Sequence, residues 1–230
     1  FGEKNTFKLL KIYKEEPCLD IRVKNRIDYW TKEFNGLKLG NSTVRIFHKG
    51  KIEDLKGYKE GYWWIQDIAA QLPVILMGNI KKKSILDLCA APGGKTAQML
   101  NQGAQVKAID ISNLRVKKLS NNIKRIGLLK NLKLQVNDMM NFESLSKFDI
   151  VLLDAPCTGT GTYRKNPDVL WIKTKNDVIR SSEVQKKLLV KALTFLKKEG
   201  ILIYSNCSLQ FEEGENMIKE LCKKKVIYID

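Results

Sequence analysis

From about residue 61 onward, short apolar runs alternate with longer amphipathic segments. The apolar runs have the length of strands, and the segments between them repeat their hydrophobic positions with helical spacing. We predict strands at 84–88, 105–109, 132–136, 149–153 and 200–204. We predict helices at 66–77, 94–102, 113–126, 177–197 and 212–222. This alternation predicts an α/β fold with a mostly parallel sheet, covered on both faces and connected by right-handed crossovers.

The first 60 residues have a different pattern and predict a small α/β unit. Two strands and a short helix are expected there, at 20–23, 44–47 and 25–34. We therefore predict two domains, a small one over residues 1–60 and a larger one over residues 61–230.

Composition adds only a few limits. The chain is 43% hydrophobic and 29% charged, which is ordinary for a globular protein. No apolar stretch reaches the roughly 18 residues of a membrane-spanning helix, and the first residues lack a signal-peptide pattern. The chain begins with Phe1 rather than Met, so we expect that it is trimmed.

The cysteines do not form a metal-binding pattern. They stand at positions 18, 89, 157, 207 and 222, no pair has C-x-x-C spacing, and the only histidine is His48. This spacing argues against a structural zinc site and against a disulfide framework. We expect no metal, reduced thiols and a cytoplasmic location.

The charge points to a partner. Lys and Arg number 41 against 25 Asp and Glu, a net charge of +16, which is typical of a protein that binds a phosphate-rich molecule. The alternative is a lysine-rich proteome, in which basic runs such as Lys81-Lys82-Lys83 are solvated ends of elements.

A loop of small residues follows the predicted strand 84–88 and leads into a helix. It consists of Cys89, Ala90, Ala91, Pro92, Gly93, Gly94 and Lys95. Small residues let a ligand approach the backbone, and the start of a helix offers free N–H groups to an anionic moiety. Gly94-Lys95-Thr96 matches the end of a P-loop, but Cys89 stands where that motif requires glycine. The G-x-G-x-x-G pattern of nicotinamide-binding folds is absent.

Acidic residues follow the next two strands. Asp110 ends the first of them, where a carboxylate suits ribose hydroxyls, and Asp138 follows the second, where it could accept from an adenine amino group. Each alone is more commonly a cap or turn residue. Three such signals in order favour a nucleoside-bearing cofactor, and S-adenosylmethionine fits best because the other two fingerprints are missing.

Two further segments each place a cysteine just past a predicted strand. Asp154-Ala155-Pro156-Cys157 follows one apolar run, and Tyr204-Ser205-Asn206-Cys207-Ser208 follows another. Open α/β sheets bind ligands at the carboxyl ends of their strands, so two thiols and a carboxylate there indicate covalent chemistry. The alternative is that both cysteines are small buried residues.

Taken together, these motifs resemble those of the Sun/Fmu-type (RsmB/NSUN) RNA 5-methylcytosine methyltransferases. The segment Gly61-Tyr62-Trp63-Trp64-Ile65-Gln66-Asp67 and the motif Arg164-Lys165-Asn166-Pro167-Asp168 also match, and the matches cover about 60–220 in order. The resemblance implies a Rossmann-like S-adenosylmethionine-dependent methyltransferase sheet with a small amino-terminal RNA-binding subdomain. It also implies methylation of cytosine C5 in RNA by a monomer, with ribosomal RNA rather than transfer RNA resting on family analogy alone.

The resemblance assigns roles to individual residues. Cys207 would be the nucleophile that adds to cytosine C6, and Cys157 would assist resolution of the adduct. Asp154 would bind the cytosine edge or belong to the cofactor pocket. Arg164 and Lys165 would contact RNA phosphate, unless they are solvated surface charges.

The chemistry can also be argued independently of the family. C5 of cytosine is a poor nucleophile, and a thiolate at C6 makes it enamine-like, so that it can attack a methyl sulfonium. The target base must be unpaired or flipped out. Several aromatic residues are candidate stacking surfaces for RNA: Trp30, Tyr58, Tyr62, Trp63, Trp64 and Trp171. For Trp63 and Trp64 we favour core packing.

The chain departs from the family pattern in two places. Asn206 stands where the family usually has Thr. The family's sheet continues with two strands after the last predicted helix, so we expect that the chain is truncated or its sheet incomplete, with Val226-Ile227-Tyr228-Ile229 as the first of those strands.

Two rival functions remain open at this point. One is methylation of an exocyclic nitrogen, although that chemistry typically uses an N/D-P-P-Y/F loop. The other is a non-catalytic RNA-binding or ribosome-assembly protein, against which the retention of both cysteines argues.

Overall fold

The computed structural model describes residues 16–224, together with residues 4, 7, 8 and 11. The described chain divides into two compact units. The first comprises residues 18–154 and 191–204 and contains nearly all of two β-sheets. The second contains residues 155–190 and 205–224.

The amino-terminal sheet is antiparallel, with the order β2-β3-β1-β4. Its strands are β1 (Leu19–Val23), β2 (Leu37–Leu39), β3 (Thr43–Ile46) and β4 (Trp63–Ile65), and helix α1 (Ile27–Glu33) follows β1. The side chains of Ile21, Val23, Trp30 and Trp63 are buried together in its core. The domain division at residue 60 stays a prediction.

The larger sheet has the order β7-β6-β5-β8-β9. Its strands are β5 (Ser84–Leu88), β6 (Gln105–Asp110), β7 (Leu132–Val136), β8 (Phe148–Asp154) and β9 (Leu196–Ser205). β5 pairs in parallel with β6 and with β8, and β6 pairs in parallel with β7. The chain order reverses between β5 and β8, and such a switch point is where open α/β sheets bind ligands.

Helices alternate with these strands, as the sequence predicted. They are α2 (Ile68–Leu76), α3 (Gly94–Asn101), α4 (Asn113–Arg125), α5 (Val169–Ile172), α6 (Lys175–Leu193) and α7 (Glu215–Lys223). Asp67 caps α2 by accepting from the N–H of Ala69 at 3.0 Å. Met99 of α3 and Leu119 and Ile123 of α4 are fully buried in the core cluster that includes β5 and β6. No helix in the described part of the chain is long and apolar enough to cross a membrane.

The structure corrects one boundary between a helix and a strand. The predicted helix 177–197 ends at Leu193, and β9 begins at Leu196 rather than at 200. The Thr194 hydroxyl donates to the carbonyl of Lys191 at 2.7 Å, and the carbonyl of Phe195 accepts from the N–H of Phe148 in β8 at 2.9 Å. Pairing with β8 therefore overrides the helical propensity of the Lys-rich segment. The predicted strand at 226–229 lies outside the described residues.

Candidate active site

The predicted cofactor loop connects β5 to α3. Cys89 and Gly93 both have left-handed backbone conformations, with φ of 59° and 99°. A Cβ atom on Gly93 would lie 2.6 Å from Cγ of Leu119. Gly93 is therefore required twice, for the turn itself and for the close packing of the loop against α4.

Asp110, at the end of β6, holds this loop in place by hydrogen bonding. Its side chain is almost fully buried, and its carboxylate accepts from the backbone N–H of Ala91 at 3.1 Å and of Ser112 at 3.0 Å. The Arg115 guanidinium lies 3.5 Å from the same carboxylate. Asp110 is thus placed beside the cofactor loop, and its predicted bond to a ribose stays a prediction.

Asp87 was missed by the sequence analysis, although an acid inside the apolar run Ile85-Leu86-Asp87-Leu88 was a usable signal. It is buried, its Oδ2 accepts from the Thr96 hydroxyl at 2.6 Å, and its Oδ1 has no hydrogen-bond partner among the described residues. Burial raises the pKa of Asp87 to about 7, against the opposing effect of the Thr96 bond, and the nearby charge of Asp154 raises it further.

This environment fits S-adenosylmethionine. A buried carboxylate oxygen without a donor is unfavourable, and the ammonium group of an amino-acid-bearing cofactor would satisfy it. Asp87 and Asp110, at the loop between β5 and α3, are the acidic groups that would hold such a cofactor, and the small side chains of the loop leave its backbone accessible.

Lys95 and Asp154 form an ion pair at the switch point. The ammonium of Lys95, in the first turn of α3, lies 2.7 Å from Oδ2 of Asp154, the last residue of β8. Both side chains are partly exposed. The pair fixes the direction of the Asp154 carboxylate at the carboxyl ends of the two strands that flank the switch point.

The other predicted binding residues lie in simpler surroundings. Asp138 is half-buried and accepts from the N–H of Met140 at 2.9 Å, which is the turn role that its residue type commonly has. Arg164 and Lys165 are exposed in the second unit. Their predicted contact with RNA stays a prediction.

The two predicted catalytic thiols lie together in the second unit. Sγ of Cys157 is 3.4 Å from Sγ of Cys207, a hydrogen-bonding distance that is much longer than the roughly 2.05 Å of a disulfide. Cys207 is exposed and Cys157 is half-buried. The hydrogen bond to Cys207 and, second, burial raise the pKa of Cys157, so Cys157 retains its proton.

Backbone contacts hold the two cysteine-bearing loops together. The N–H of Gly161 donates to the carbonyl of Cys207 at 2.8 Å, and a Cβ on Gly161 would lie 2.8 Å from that oxygen. Asn206 accepts from the N–H of Ser208 at 2.8 Å and donates to the carbonyl of Glu213 at 2.7 Å. The amide at position 206 therefore both donates and accepts within its own loop.

Half of the six candidate stacking aromatics are core residues. Trp63 and Trp64 are buried, as the sequence analysis favoured, and Trp30 is buried as well, so its candidacy for stacking on RNA is wrong. Tyr58 is half-buried beneath the Arg125 guanidinium, which lies 3.9 Å from its ring centroid. Tyr62 and Trp171 are the exposed members of the set.

Metal-ligating side chains do not cluster in the part of the chain that the structure describes. No group of three or more His, Cys, Asp or Glu residues is arranged there to hold an ion.

Comparison with known proteins gives one consistent result. A family model described as "16S rRNA methyltransferase RsmB/F" matches residues 74–228, more than half of the chain. The "Ribosomal RNA small subunit methyltransferase B" of Photorhabdus laumondii is 35% identical over 186 residues, which are 80% of this chain and 43% of that protein. The chain thus spans less than half the length of that curated relative.

Two solved structures extend the similarity to the fold. A methyltransferase homologue from Pyrococcus horikoshii superposes with a TM-score of 0.80 at 26% identity, covering 96% of this chain and 74% of that one. NSun6 from the same organism superposes with a TM-score of 0.69 at 32% identity, covering 80% of this chain and 49% of that one. These matches confirm the predicted Rossmann-like α/β fold class.

Proposed function

Because this chain belongs to the 16S rRNA methyltransferase RsmB/F family, we propose that it methylates C5 of a cytosine in RNA through a covalent cysteine adduct. Membership confirms the Sun/Fmu-type resemblance of the motifs and S-adenosylmethionine as the cofactor. The choice of C5 and the covalent step are supported by one observation above all, which is the pair of thiols 3.4 Å apart.

The two thiols have different roles in this mechanism, because Cys207 is exposed whereas Cys157 is half-buried and keeps its proton. Cys207 is exposed and adds as a thiolate to C6, which makes C5 enamine-like and nucleophilic. S-adenosylmethionine, when bound, supplies an electrophilic methyl group on a sulfonium. Loss of the C5 proton to a base then restores the C5–C6 double bond and expels the Cys207 thiolate.

Cys157 acts on the departing sulfur. It retains its proton because its pKa is raised by the hydrogen bond to Cys207 and by burial, so its S–H donates to the thiolate that leaves C6. A hydrogen bond that strengthens as negative charge returns to Cys207 lowers the barrier to release. In this mechanism each of the two cysteines has its own role.

Asp154 recognises the base in this scheme. Its carboxylate, oriented by Lys95 at 2.7 Å, accepts from the exocyclic amino group at the edge of cytosine. A uracil would present a carbonyl to the same carboxylate and be rejected, because two acceptors would then face each other.

The RNA partner is supported by charge and by the relatives' names. The chain carries a net charge of +16, and Arg164 and Lys165 are exposed in the second unit. The relatives are ribosomal RNA methyltransferases, so we propose a single-stranded or flipped cytosine of ribosomal RNA as the target, modified by a monomer in the cytoplasm.

The direct test is methyl transfer from labelled S-adenosylmethionine to unmodified total RNA. We expect label at cytosine C5 with the unchanged chain, none with Cys207→Ala, and a denaturation-resistant protein–RNA adduct with Cys157→Ala. Cys222→Ala, a half-buried cysteine of α7, is the matched control and should behave like the unchanged chain. Label that persists in Cys207→Ala would refute the covalent mechanism. RNA binding without any transfer would favour the rival non-catalytic function.

A further inference from the structure

Glu213 is a buried glutamate between the two cysteine-bearing segments of the second unit. We call residues 155–162 the first thiol loop and residues 205–210 the second thiol loop. Glu213 ends the short 3-10 turn Phe211–Glu213, directly after the second thiol loop, and its side chain is 0% exposed. No motif in the sequence marked it.

The carboxylate of Glu213 bonds to both loops. Its Oε1 accepts from the backbone N–H of Thr158 at 2.9 Å, and its Oε2 accepts from the hydroxyls of Thr158 and Ser208. Thr158 follows Cys157 in the chain, and Ser208 follows Cys207. One carboxylate therefore holds the residue next to each thiol.

A second side chain extends the same network. Gln185 of α6 is fully buried and donates from Nε2 to Oε1 of Glu213 at 3.0 Å and to the carbonyl of Pro156 at 2.8 Å. Pro156 precedes Cys157 and Thr158 follows it, so hydrogen bonds hold the backbone on both sides of Cys157. The Thr158 and Ser208 hydroxyl oxygens, which both donate to Glu213, lie 3.3 Å apart.

Burying a carboxylate is unfavourable unless donors satisfy its oxygens, and a side chain needed only for packing would be apolar. Here donors from both loops and from α6 fill the acceptor sites. The network therefore fixes the two thiol loops relative to each other, and with them the positions of the Cys157 and Cys207 sulfurs.

We propose that Glu213 is a positioning residue that sets the separation of the Cys157 and Cys207 sulfurs and thereby the rate at which the covalent adduct is resolved. This inference rests on the proposed function, because resolution is the step in which both thiols take part. Adduct formation needs Cys207 alone, so Glu213 acts mainly after methyl transfer. A displacement of about 1 Å at a reacting pair can cost roughly 100-fold in rate.

The kinetic test compares Glu213→Ala with Glu213→Gln. We expect Glu213→Ala to lower kcat about 10- to 100-fold with an unchanged Kd for RNA, and to accumulate a denaturation-resistant RNA adduct. Glu213→Gln keeps an oxygen for the Thr158 N–H, and its amide can donate to hydroxyls that rotate to accept, so it should restore turnover to within a few-fold. Glu220→Ala, which removes a partly exposed glutamate of α7 paired with Lys186 and Lys224, is the matched control.

A second readout does not require activity. Diamide oxidises two neighbouring thiols to a disulfide and is itself reduced to a hydrazine, so the rate of Cys157–Cys207 disulfide formation measures their proximity. Peptide mass spectrometry should show rapid pairing in the unchanged chain and at least tenfold slower pairing in Glu213→Ala. Unaltered pairing together with unaltered turnover would overturn the proposal.

Two further arms separate the possible failures. If Glu213→Ala does not fold by circular dichroism, Ser208→Ala removes only the hydroxyl link to the second thiol loop and should slow pairing in the same direction. A folded Ser208→Ala with normal pairing and normal adduct levels would then refute the role. If the unchanged chain transfers no methyl group yet pairs its thiols in a Glu213-dependent way, the proposed function fails while the positioning role stands.

Discussion

Sγ of Cys157 lies 3.4 Å from Sγ of Cys207, yet of the five cysteines, all within the described chain, only Cys207 is exposed. The two thiols share a hydrogen bond but differ in access, and the pKa of Cys157 is raised by that hydrogen bond and by burial. Cys207 is available to a substrate, and Cys157 is half-buried and retains its proton. Because of this asymmetry, the two thiols are not interchangeable in the proposed mechanism.

The asymmetry should be visible in thiol alkylation. Iodoacetamide attacks thiolates, so Cys207 should be modified first. Cys89 and Cys157 should both react slowly, because burial raises the pKa of Cys89 to about 12 and the hydrogen bond to Cys207, together with burial, raises the pKa of Cys157. Peptide mass spectrometry over a time course at pH 8 measures the order. In guanidinium chloride all five should react at similar rates. Faster labelling of Cys89 or Cys157 than of Cys207 would contradict the assigned roles.

Gly93 should be intolerant of a side chain. Alanine there meets a φ of 99° and places Cβ 2.6 Å from Leu119, so we expect Gly93→Ala to lower the free energy of unfolding by about 2–4 kcal/mol and to weaken cofactor binding. Gly78→Ala is the matched control, because its φ is +67° and the described chain has nothing within 4 Å of the added Cβ. It should cost only about 1–2 kcal/mol. Urea unfolding and calorimetric titration with S-adenosylmethionine check both, and equal losses would refute the packing argument.

Strands β5 and β8 were predictable because each is a nearly continuous apolar run with a polar or small residue after it. Strands β6 and β7 were predictable because apolar residues alternate with polar or small ones along them. The short strands β2 and β4 were not, because three residues carry too little periodicity and are extended only through pairing with β3 and β1. The start of β9 was missed because the sequence Leu196-Lys197-Lys198-Glu199 by itself favours a helix. This segment is a strand because it lies next to β8 in the sheet, and that pairing is not visible in the local sequence.

The candidate site shows the same division between local and tertiary information. Cys157, Cys207 and the cofactor loop follow strands directly, so their order along the chain was enough to place them at strand ends. Glu213 was invisible because its role depends on donors from residues 158 and 185, which are distant in sequence. In the sequence, Asp87 is visible only as an acidic residue inside an apolar strand. The lack of a hydrogen-bond partner for its buried Oδ1 is visible only in the structure.

The stability of the cofactor-free protein should depend on Asp87. Its pKa is about 7 when folded, above the 3.8 of an unperturbed Asp side chain, so the folded state binds a proton that the unfolded state releases between those values. This stabilising contribution is complete at low pH and is lost as pH rises through 7, with a slope of up to about 1.4 kcal/mol per pH unit.

Asp87→Asn should remove that slope, because an amide cannot ionise and still accepts from the Thr96 hydroxyl. Urea unfolding of both proteins at pH 5, 6, 7 and 8 should show the variant gaining relative stability as pH rises. Asp28→Asn, at an exposed surface pair with Lys38, is the control for the loss of one charge. A difference between Asp87→Asn and the unchanged chain that does not vary with pH would contradict the assignment.

Trp171 should contribute to RNA affinity by stacking rather than by charge. It is 87% exposed on α5, close in sequence to Arg164 and Lys165, and base–aromatic stacking is worth about 1–3 kcal/mol per base. Trp171→Ala should therefore weaken single-stranded RNA binding by roughly tenfold at every salt concentration, with an unchanged slope of log K against log salt. Arg164→Ala and Lys165→Ala should each reduce that slope by about 0.7, because each removes one phosphate contact. Trp171→Phe, which keeps an aromatic face, should recover most of the loss. Fluorescence anisotropy between about 50 and 200 mM salt separates the stacking contribution from the charge contribution. A slope that changes in Trp171→Ala, or that stays constant in both basic variants, would show that this segment does not bind RNA in the proposed way.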